Sequence, residues 1–181
     1  MRDGKPAPDA PPADTPETTG HDTAPPPPLL LDGFVPYRLS VLANVISRSV
    51  AAIYEERFGL TIPEWRVMAV LGLEDGGPEP VSANSVAART AMDKVQVSRA
   101  IARMVQAGLV SRDTDSADRR RSALALTDKG LAVYRQIVPA ARRYEQELLA
   151  ALSPEDQAAL DRLLSTLHAA AVARARAQGV E

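Results

Sequence analysis

Residues 82–108 read SANSVAARTAMDKVQVSRAIARMVQAG, and this stretch contains the signals that decide the fold. Ser82 is a favourable N-cap residue and predicts the start of a short helix. Asp93 forms a capping box with Gln96 three residues later, which predicts the start of a second helix. Residues 90–92, between the two helices, therefore form a tight turn. Gly108 predicts the end of that helix, since glycine readily adopts the left-handed conformation found there. Two helices joined by a tight turn are typical of a helix-turn-helix.

Two short segments after this helix pair predict a β-hairpin. They are residues 109–113 and 122–126, and in the second Leu124 and Leu126 alternate with small residues, as in a half-buried strand. The polar turn between them, residues 114–121, ends in three consecutive arginines. A helix-turn-helix followed by an arginine-tipped hairpin predicts a winged helix-turn-helix.

Long helical patterns flank this motif on both sides. An apolar stripe runs over residues 35–58, and a second helix begins near Thr61, which forms a capping box with Glu64. Thr127 begins another long helix, and Ser153 begins the last one. The first stripe is wide enough to contact both the protein's own core and a partner chain, so these helices suggest a dimerisation layer.

The predicted fold is therefore mainly α with a small β-wing: a winged helix-turn-helix with N- and C-terminal dimerisation helices. Four regions follow from this interpretation. They are a disordered, proline-rich acidic tail at 1–28, an N-terminal dimerisation helix at 29–60, a DNA-binding lobe at 61–127, and C-terminal dimerisation helices at 128–181.

The charge of the chain is unevenly distributed. The 181 residues have a net charge of −2, but the first 28 hold nine of the 15 prolines and a net charge of −3. The remaining 153 residues carry +1, and the window 89–121 alone carries +4, from eight basic and four acidic side chains. Because that window contains the helix pair and the hairpin, its charge favours binding to DNA phosphates.

Several classes of function are excluded or disfavoured by composition. The absence of cysteine excludes disulfides, thiolate metal sites and cysteine nucleophiles. The two histidines, His21 and His168, have no partner at metal-ligand spacing, so no metal is expected. No nucleophile–base pair or cofactor loop can be assembled, so we expect neither an enzyme nor a cofactor. The apolar run 29–31 is too short for a signal peptide, and no transmembrane run occurs, which predicts a cytoplasmic protein.

Four motifs resemble one known family. The chain is similar to MarR-type transcriptional regulators over residues 34–171, in FGLTIPEWR at 58–66, QAGLV at 106–110, DSADRR at 115–120 and LTDKG at 126–130. The resemblance implies a homodimer with two recognition helices in successive major grooves of a palindromic operator and two wings over minor grooves. It further implies a repressor that a small molecule releases from double-stranded DNA. Without cysteine, the chain cannot be one of the cysteine-based peroxide sensors.

The winged motif supplies the candidate DNA contacts. Recognition-helix residues Lys94, Gln96, Ser98 and Arg99 can reach base edges, although each could equally contact phosphate or solvent. Arg89 and Arg103 are expected at phosphates. Arg119 and Arg120 are candidates for the minor groove, the alternative being an ion pair that stabilises the wing. Asp118 is expected to pair with an arginine and fix the hairpin.

The effector site is predicted between the long helices and the DNA-binding lobe. Its candidate residues are Arg48, Trp65, Arg66 and Met68, because an arginine there would bind a carboxylate through paired N–H donors. The alternative is that Trp65 and Met68 belong to the core and that Arg66 forms a surface ion pair. The stretch 62–68 is similar to regulators of aromatic-acid breakdown, including sensors of hydroxycinnamates or their CoA thioesters.

Two other functions remain open at this point. One is a constitutive DNA-binding regulator or activator without an effector. The other is a helical protein-interaction module in which the basic wing is incidental.

Overall fold

The structure is a computed structural model that describes residues 28–73, 81–114 and 122–179. The predicted acidic tail therefore lies outside the described residues except for residue 28, and so does most of the predicted wing turn, at 115–121. The chain divides into two units, residues 1–38 and 39–181. Among the described residues, no helix combines the length and the apolar composition that a membrane span requires.

The described part of the first unit is short and exposed. It contains a 3₁₀ turn at Leu31–Gly33, which the sequence pattern did not predict, and the beginning of the first long helix. The Gly33 N–H donates to the Leu30 carbonyl over 3.2 Å, and the Arg38 N–H donates to the Phe34 carbonyl over 3.1 Å. All residues from 28 to 38 are exposed.

The regular elements follow the predicted order. They are α1 Val35–Phe58, α2 Ile62–Leu73, α3 Ala83–Thr90, α4 Lys94–Gln106, β1 Val110–Thr114, β2 Ser122–Leu126, α5 Asp128–Leu149 and α6 Pro154–Ala177. The described chain is thus mainly helical with one two-stranded antiparallel sheet, which confirms the predicted fold class.

Local capping determines where four of the helices begin. Each predicted cap accepts a hydrogen bond from the backbone N–H three residues later, in the pairs Ser82–Ser85, Asp93–Gln96, Thr127–Gly130 and Ser153–Asp156. Gly108 follows α4 with φ of +68°, so the predicted end of that helix is confirmed. Gly59 follows α1 in the same left-handed conformation, with φ of +66°. In the turn between α3 and α4, Ala91 takes a left-handed conformation with φ of +51°.

The hydrophobic core lies among α2, α3, α4, the hairpin and the first half of α5. Part of α1 joins it through Ala51 and Tyr54. The largest side chains with almost no exposure are Tyr54, Met68, Met104, Ile137, Val67, Val86 and Val97. This core holds α4 against α2 and α3, so one face of α4 is left for solvent.

The hairpin differs from its predicted bounds by one residue. The strands are antiparallel, with Val110 opposite Leu126 at one end and Thr114 opposite Ser122 at the other. The prediction that the first strand begins at Leu109 is wrong. The Leu109 N–H instead donates to the Met104 carbonyl over 2.9 Å, which makes it part of the α4 C-terminal cap.

The end of α4 is bound closely to the start of α5. The Thr127 hydroxyl donates to the Gly108 carbonyl over 2.7 Å, and the Lys129 ammonium donates to the Ala107 carbonyl over 2.8 Å. A β-carbon at Gly130 would overlap the Leu109 carbonyl oxygen, so this close approach requires glycine. The first turn of α5 therefore fixes the C-terminus of α4.

An apolar groove of about 670 Å³ lies among α1, α5 and α6, lined among others by Leu42, Ile46, Val50, Leu148, Leu160 and Leu164. No described residue of α6 is buried, and Leu163, Leu164 and Leu167 are all exposed. Helices with so much exposed apolar surface are typical of an interface. The division into a DNA-binding lobe and dimerisation helices stays a prediction.

Candidate DNA interface and ligand pocket

Helix α4 has one buried face and one exposed face. The buried residues are Val97, Ala100, Ile101 and Met104, and they pack into the core. The exposed face carries the four predicted base-reading residues, Lys94, Gln96, Ser98 and Arg99, all in the first two turns. The Asp93 carboxylate accepts the Gln96 N–H over 2.8 Å and fixes the helix start. The structure thus brings these four side chains together on one accessible helix end.

Val95 is a residue of this face that the sequence reasoning missed. Its side chain is 57% exposed, although the residue is apolar and its neighbours are polar. An apolar side chain on a recognition helix can contact the methyl group of thymine. Its position between Lys94 and Gln96, off the apolar stripe of α4, was the available signal.

Of the remaining predicted DNA contacts, Arg89 and Arg103 lie in the part of the chain that the structure describes. Arg89 lies exposed in the last turn of α3. Arg112, a further basic residue of the window 89–121, is exposed on β1 opposite Leu124. The predicted wing residues Asp118, Arg119 and Arg120 lie outside the described residues, so their roles stay predictions.

Arg103 is placed differently from the recognition set. Its Nε donates to Glu64 Oε1 over 2.7 Å, while 55% of its side chain remains exposed. Glu64 lies in the first turn of α2 and is only 6% exposed. Its other oxygen, Oε2, accepts the Thr61 N–H over 2.7 Å and the Thr61 hydroxyl over 2.8 Å. One carboxylate thus caps α2 and binds α4.

The electrostatics of Glu64 follow from these contacts. Burial alone would raise the pKa of this carboxyl, because it disfavours the charged form. The hydrogen bonds from Thr61 and Arg103, with the positive charge of Arg103, outweigh burial and hold the pKa below its ordinary value. Glu64 is therefore ionised at neutral pH.

A cavity of about 400 Å³ lies beside the start of α4. Its described lining residues are Asn44, Ser47 and Arg48 from α1, Ile62, Pro63 and Arg66 from α2, Met92 from the turn, and Gln96 from α4. Arg66 Nη2 donates to Ser47 Oγ over 3.4 Å. The guanidinium groups of Arg48 and Arg66 give the cavity a positive charge, and none of its described lining residues is acidic. The cavity is therefore suited to an anion.

Two of the four predicted effector residues meet in this cavity and two do not. Arg48 and Arg66 line it, whereas Met68 is fully buried in the core. Trp65 is stacked between Tyr54, with ring centroids 5.4 Å apart, and Tyr134, at 6.2 Å. Burial raises the pKa of Tyr54 to about 12, although the nearby charge of Arg66 acts in the opposite direction.

No metal site accompanies the cavity in the part of the chain that the structure describes. No group of three or more His, Asp or Glu side chains in residues 28–73, 81–114 and 122–179 could hold an ion. The arrangement suits non-covalent recognition: an accessible helix for DNA and a cationic cavity for a small anion.

Comparison with known proteins agrees with this geometry. A family model described as the MarR family matches residues 58–121. The transcriptional regulator HosA of Escherichia coli is 32% identical over 116 residues, which is 64% of this chain and 83% of HosA.

Two solved structures are similar in fold. A MarR/EmrR family transcriptional regulator from Acinetobacter sp. ADP1 has a TM-score of 0.70 at 24% identity, covering 79% of this chain and 98% of that one. The PcaV transcriptional regulator from Streptomyces coelicolor, solved in complex with its natural ligand, has a TM-score of 0.63 at 25% identity. That match covers 80% of this chain and 99% of PcaV.

Proposed function

The chain belongs to the MarR family and is a DNA-binding transcriptional regulator, and from that premise we propose that it is a homodimeric repressor with a ligand-controlled operator. A small organic anion, of the aromatic-acid or aromatic acyl-CoA class, binds the cavity and releases the protein from a palindromic site in the cytoplasm. The supporting observation is that Gln96, on the exposed end of α4 to which we assign DNA reading, also lines the cationic cavity.

Sequence reading is assigned to the exposed end of α4. Helix N-termini deliver side chains to base edges, where Gln pairs with adenine and Arg or Lys with guanine. Lys94, Gln96 and Arg99 have the chemistry for these contacts, and Ser98 can bond to several bases. Arg89 and the wing arginines would add sequence-independent contacts to phosphate and to the minor groove.

Dimerisation is supported by the exposed apolar helices. The groove among α1, α5 and α6 presents leucines to solvent in the single chain. A second copy would cover them and place two copies of α4 on one face of DNA. Half-sites one helical turn apart, about 34 Å, would then match the two-fold symmetry.

Ligand specificity is assigned to Arg48 and Arg66. A carboxylate accepts paired N–H donors from a guanidinium, and a cavity of about 400 Å³ has room for an aromatic acid. The similar protein PcaV binds a natural ligand, which supports a ligand-responsive regulator. Control requires that the ligand bind the DNA-free arrangement more tightly than the DNA-bound one.

The first experiment isolates duplexes that the wild-type chain selects from a random-sequence library and measures their affinity. Selected duplexes should contain a palindrome, and 4-hydroxycinnamate, benzoate or their CoA thioesters should weaken binding. The double variant Arg48→Ala/Arg66→Ala should keep DNA binding but lose this release. Arg135→Ala, which removes an exposed arginine of α5 outside the cavity, is the matched control and should still respond.

Each alternative function predicts a different result. A constitutive regulator would select a palindrome but ignore every ligand tested. An interaction module would select no sequence, and its DNA affinity would be unchanged when Arg119 and Arg120 are both replaced by Ala.

A further inference from the structure

Glu64 is the one buried residue with a charged side chain among those whose burial the structure describes. Burying a carboxylate is costly unless its charge and hydrogen-bonding capacity are satisfied. Here both oxygens are used, since Oε2 accepts two bonds from Thr61 and Oε1 accepts one from Arg103. The two bonds from Thr61 would hold Glu64 in the first turn of α2 without any contact to α4, so the contact with Arg103 needs a reason of its own.

The position of Arg103 on α4 suggests that reason. Gln96, Ala100 and Arg103 are separated by four and three residues, so they share one face of the helix. Gln96 lines the cavity, Ala100 is fully buried, and Arg103 binds Glu64. The N-terminal and C-terminal parts of this face therefore meet the first turn of α2 in two ways: across a cavity at one end and through an ion pair at the other.

The first turn of α2 connects the two ends. Ile62 and Pro63 line the cavity and immediately precede Glu64, and Arg66 lies two residues after it. A ligand that moves this turn would move the Glu64 carboxylate with it. Because the Arg103 guanidinium donates to that carboxylate over 2.7 Å, such a movement would be passed on to α4.

We propose that Glu64 is a positioning residue for DNA recognition: through Arg103 it sets the orientation of α4, and so the approach of its exposed end to the bases. This inference rests on the proposed DNA-reading function of α4. It gives Arg103 a role within the protein in addition to any contact with phosphate. It also gives a role to a charged group that lies in an otherwise apolar interface between α2 and α4.

Simple electrostatics and a positioning role predict opposite effects of removing the charge of Glu64. Replacing Glu64 by Gln makes the chain less negative, which by itself would strengthen binding to phosphates. A positioning role instead predicts weaker binding to the selected palindrome, with little change on arbitrary duplex DNA. The ratio of the two affinities therefore separates positioning from charge and from general loss of structure.

The test measures binding of full-length Glu64→Gln, Arg103→Lys and the double variant to two duplexes. One is the palindrome that the wild-type chain selects, and the other is a scrambled sequence of the same length. Glu56→Gln is the matched control, because it removes one exposed acid of α1 away from this pair. Arg103→Lys keeps the positive charge and changes only the guanidinium geometry.

Each single variant should reduce the palindrome-to-scrambled affinity ratio about tenfold, a size comparable to losing one good base contact. The double variant should be no worse than either single variant, because both remove the same interaction. The control should leave the ratio unchanged. Thermal unfolding of each protein shows whether it remains folded, and Arg103→Lys supplies the test if Glu64→Gln unfolds.

An unchanged ratio in Glu64→Gln and Arg103→Lys would overturn the inference, even if both proteins are less stable. Additive losses in the double variant would also contradict it, because the two residues would then act separately. If the wild-type chain selects no sequence at all, the proposed function fails, and this inference fails with it.

Discussion

Single side chains at the helix boundaries determine where several of the helices begin. Ser82, Asp93 and Thr127 each satisfy a backbone N–H three residues later, and these starts could be predicted because cap and helix are adjacent in sequence. The bond from Arg103 to Glu64 joins residues 39 positions apart. No local pattern in the sequence indicates that Arg103 and Glu64 are paired. The pairing depends on how α2 and α4 pack, and only the structure reveals it.

The lowered pKa of Glu64 predicts how the stability of the protein depends on pH. Its folded-state pKa is lowered, so the stabilisation it provides is fully present above the ordinary glutamate pKa of about 4.3. That stabilisation is lost as pH falls through the lower, folded-state value. At neutral pH, Glu64→Gln should cost about 1.5–3 kcal/mol, the usual worth of hydrogen bonds to a charged group.

The measurement is the free energy of unfolding of wild type and Glu64→Gln across acidic pH at one protein concentration. The gap between them should be constant from neutral pH down to about pH 5 and should shrink below about 4.3. A gap that is equally large at every pH would show that the charge of Glu64 contributes nothing.

The apolar periodicity and the capping residues correctly predicted the order of the helices. The same signals were less accurate for the wing, where β1 begins at Val110 because Leu109 completes the α4 cap. The effector prediction was limited in the same way. Helical spacing cannot tell a core residue such as Met68 from a cavity residue such as Arg66, since that depends on which helix packs above each one.

The junction between α4 and α5 supports a second prediction. In Gly130→Ala the new methyl group would overlap the Leu109 carbonyl oxygen, so the start of α5 must move away from the end of α4. We expect a loss of about 1–3 kcal/mol in stability, as for other overpacked sites, and weaker binding to the selected palindrome.

Gly33→Ala is the matched control for this variant, because a β-carbon at Gly33 meets no described atom within 4 Å. Chemical denaturation and DNA binding of both variants provide the measurement. Equal behaviour of the two proteins would show that the close approach at Gly130 is unimportant.

For the whole molecule, the total charge of −2 concealed the function, because an acidic N-terminal stretch offsets a basic window at 89–121. The structure places the basic residues Lys94 and Arg99 on the exposed end of α4, beside a cationic cavity that shares Gln96 with it. DNA and ligand would therefore act on one helix from two sides. Their binding must then be thermodynamically linked, and the linkage must be reciprocal.

Reciprocity is the sharpest test that DNA and ligand act on the same helix. The measurement is calorimetric titration of an aromatic acid that releases DNA, into the free protein and into the protein saturated with its selected palindrome. This linkage predicts that DNA weakens ligand binding by the same factor by which the ligand weakens DNA binding, typically about 5–150-fold. Equal ligand affinity in the presence and absence of the palindrome would contradict it.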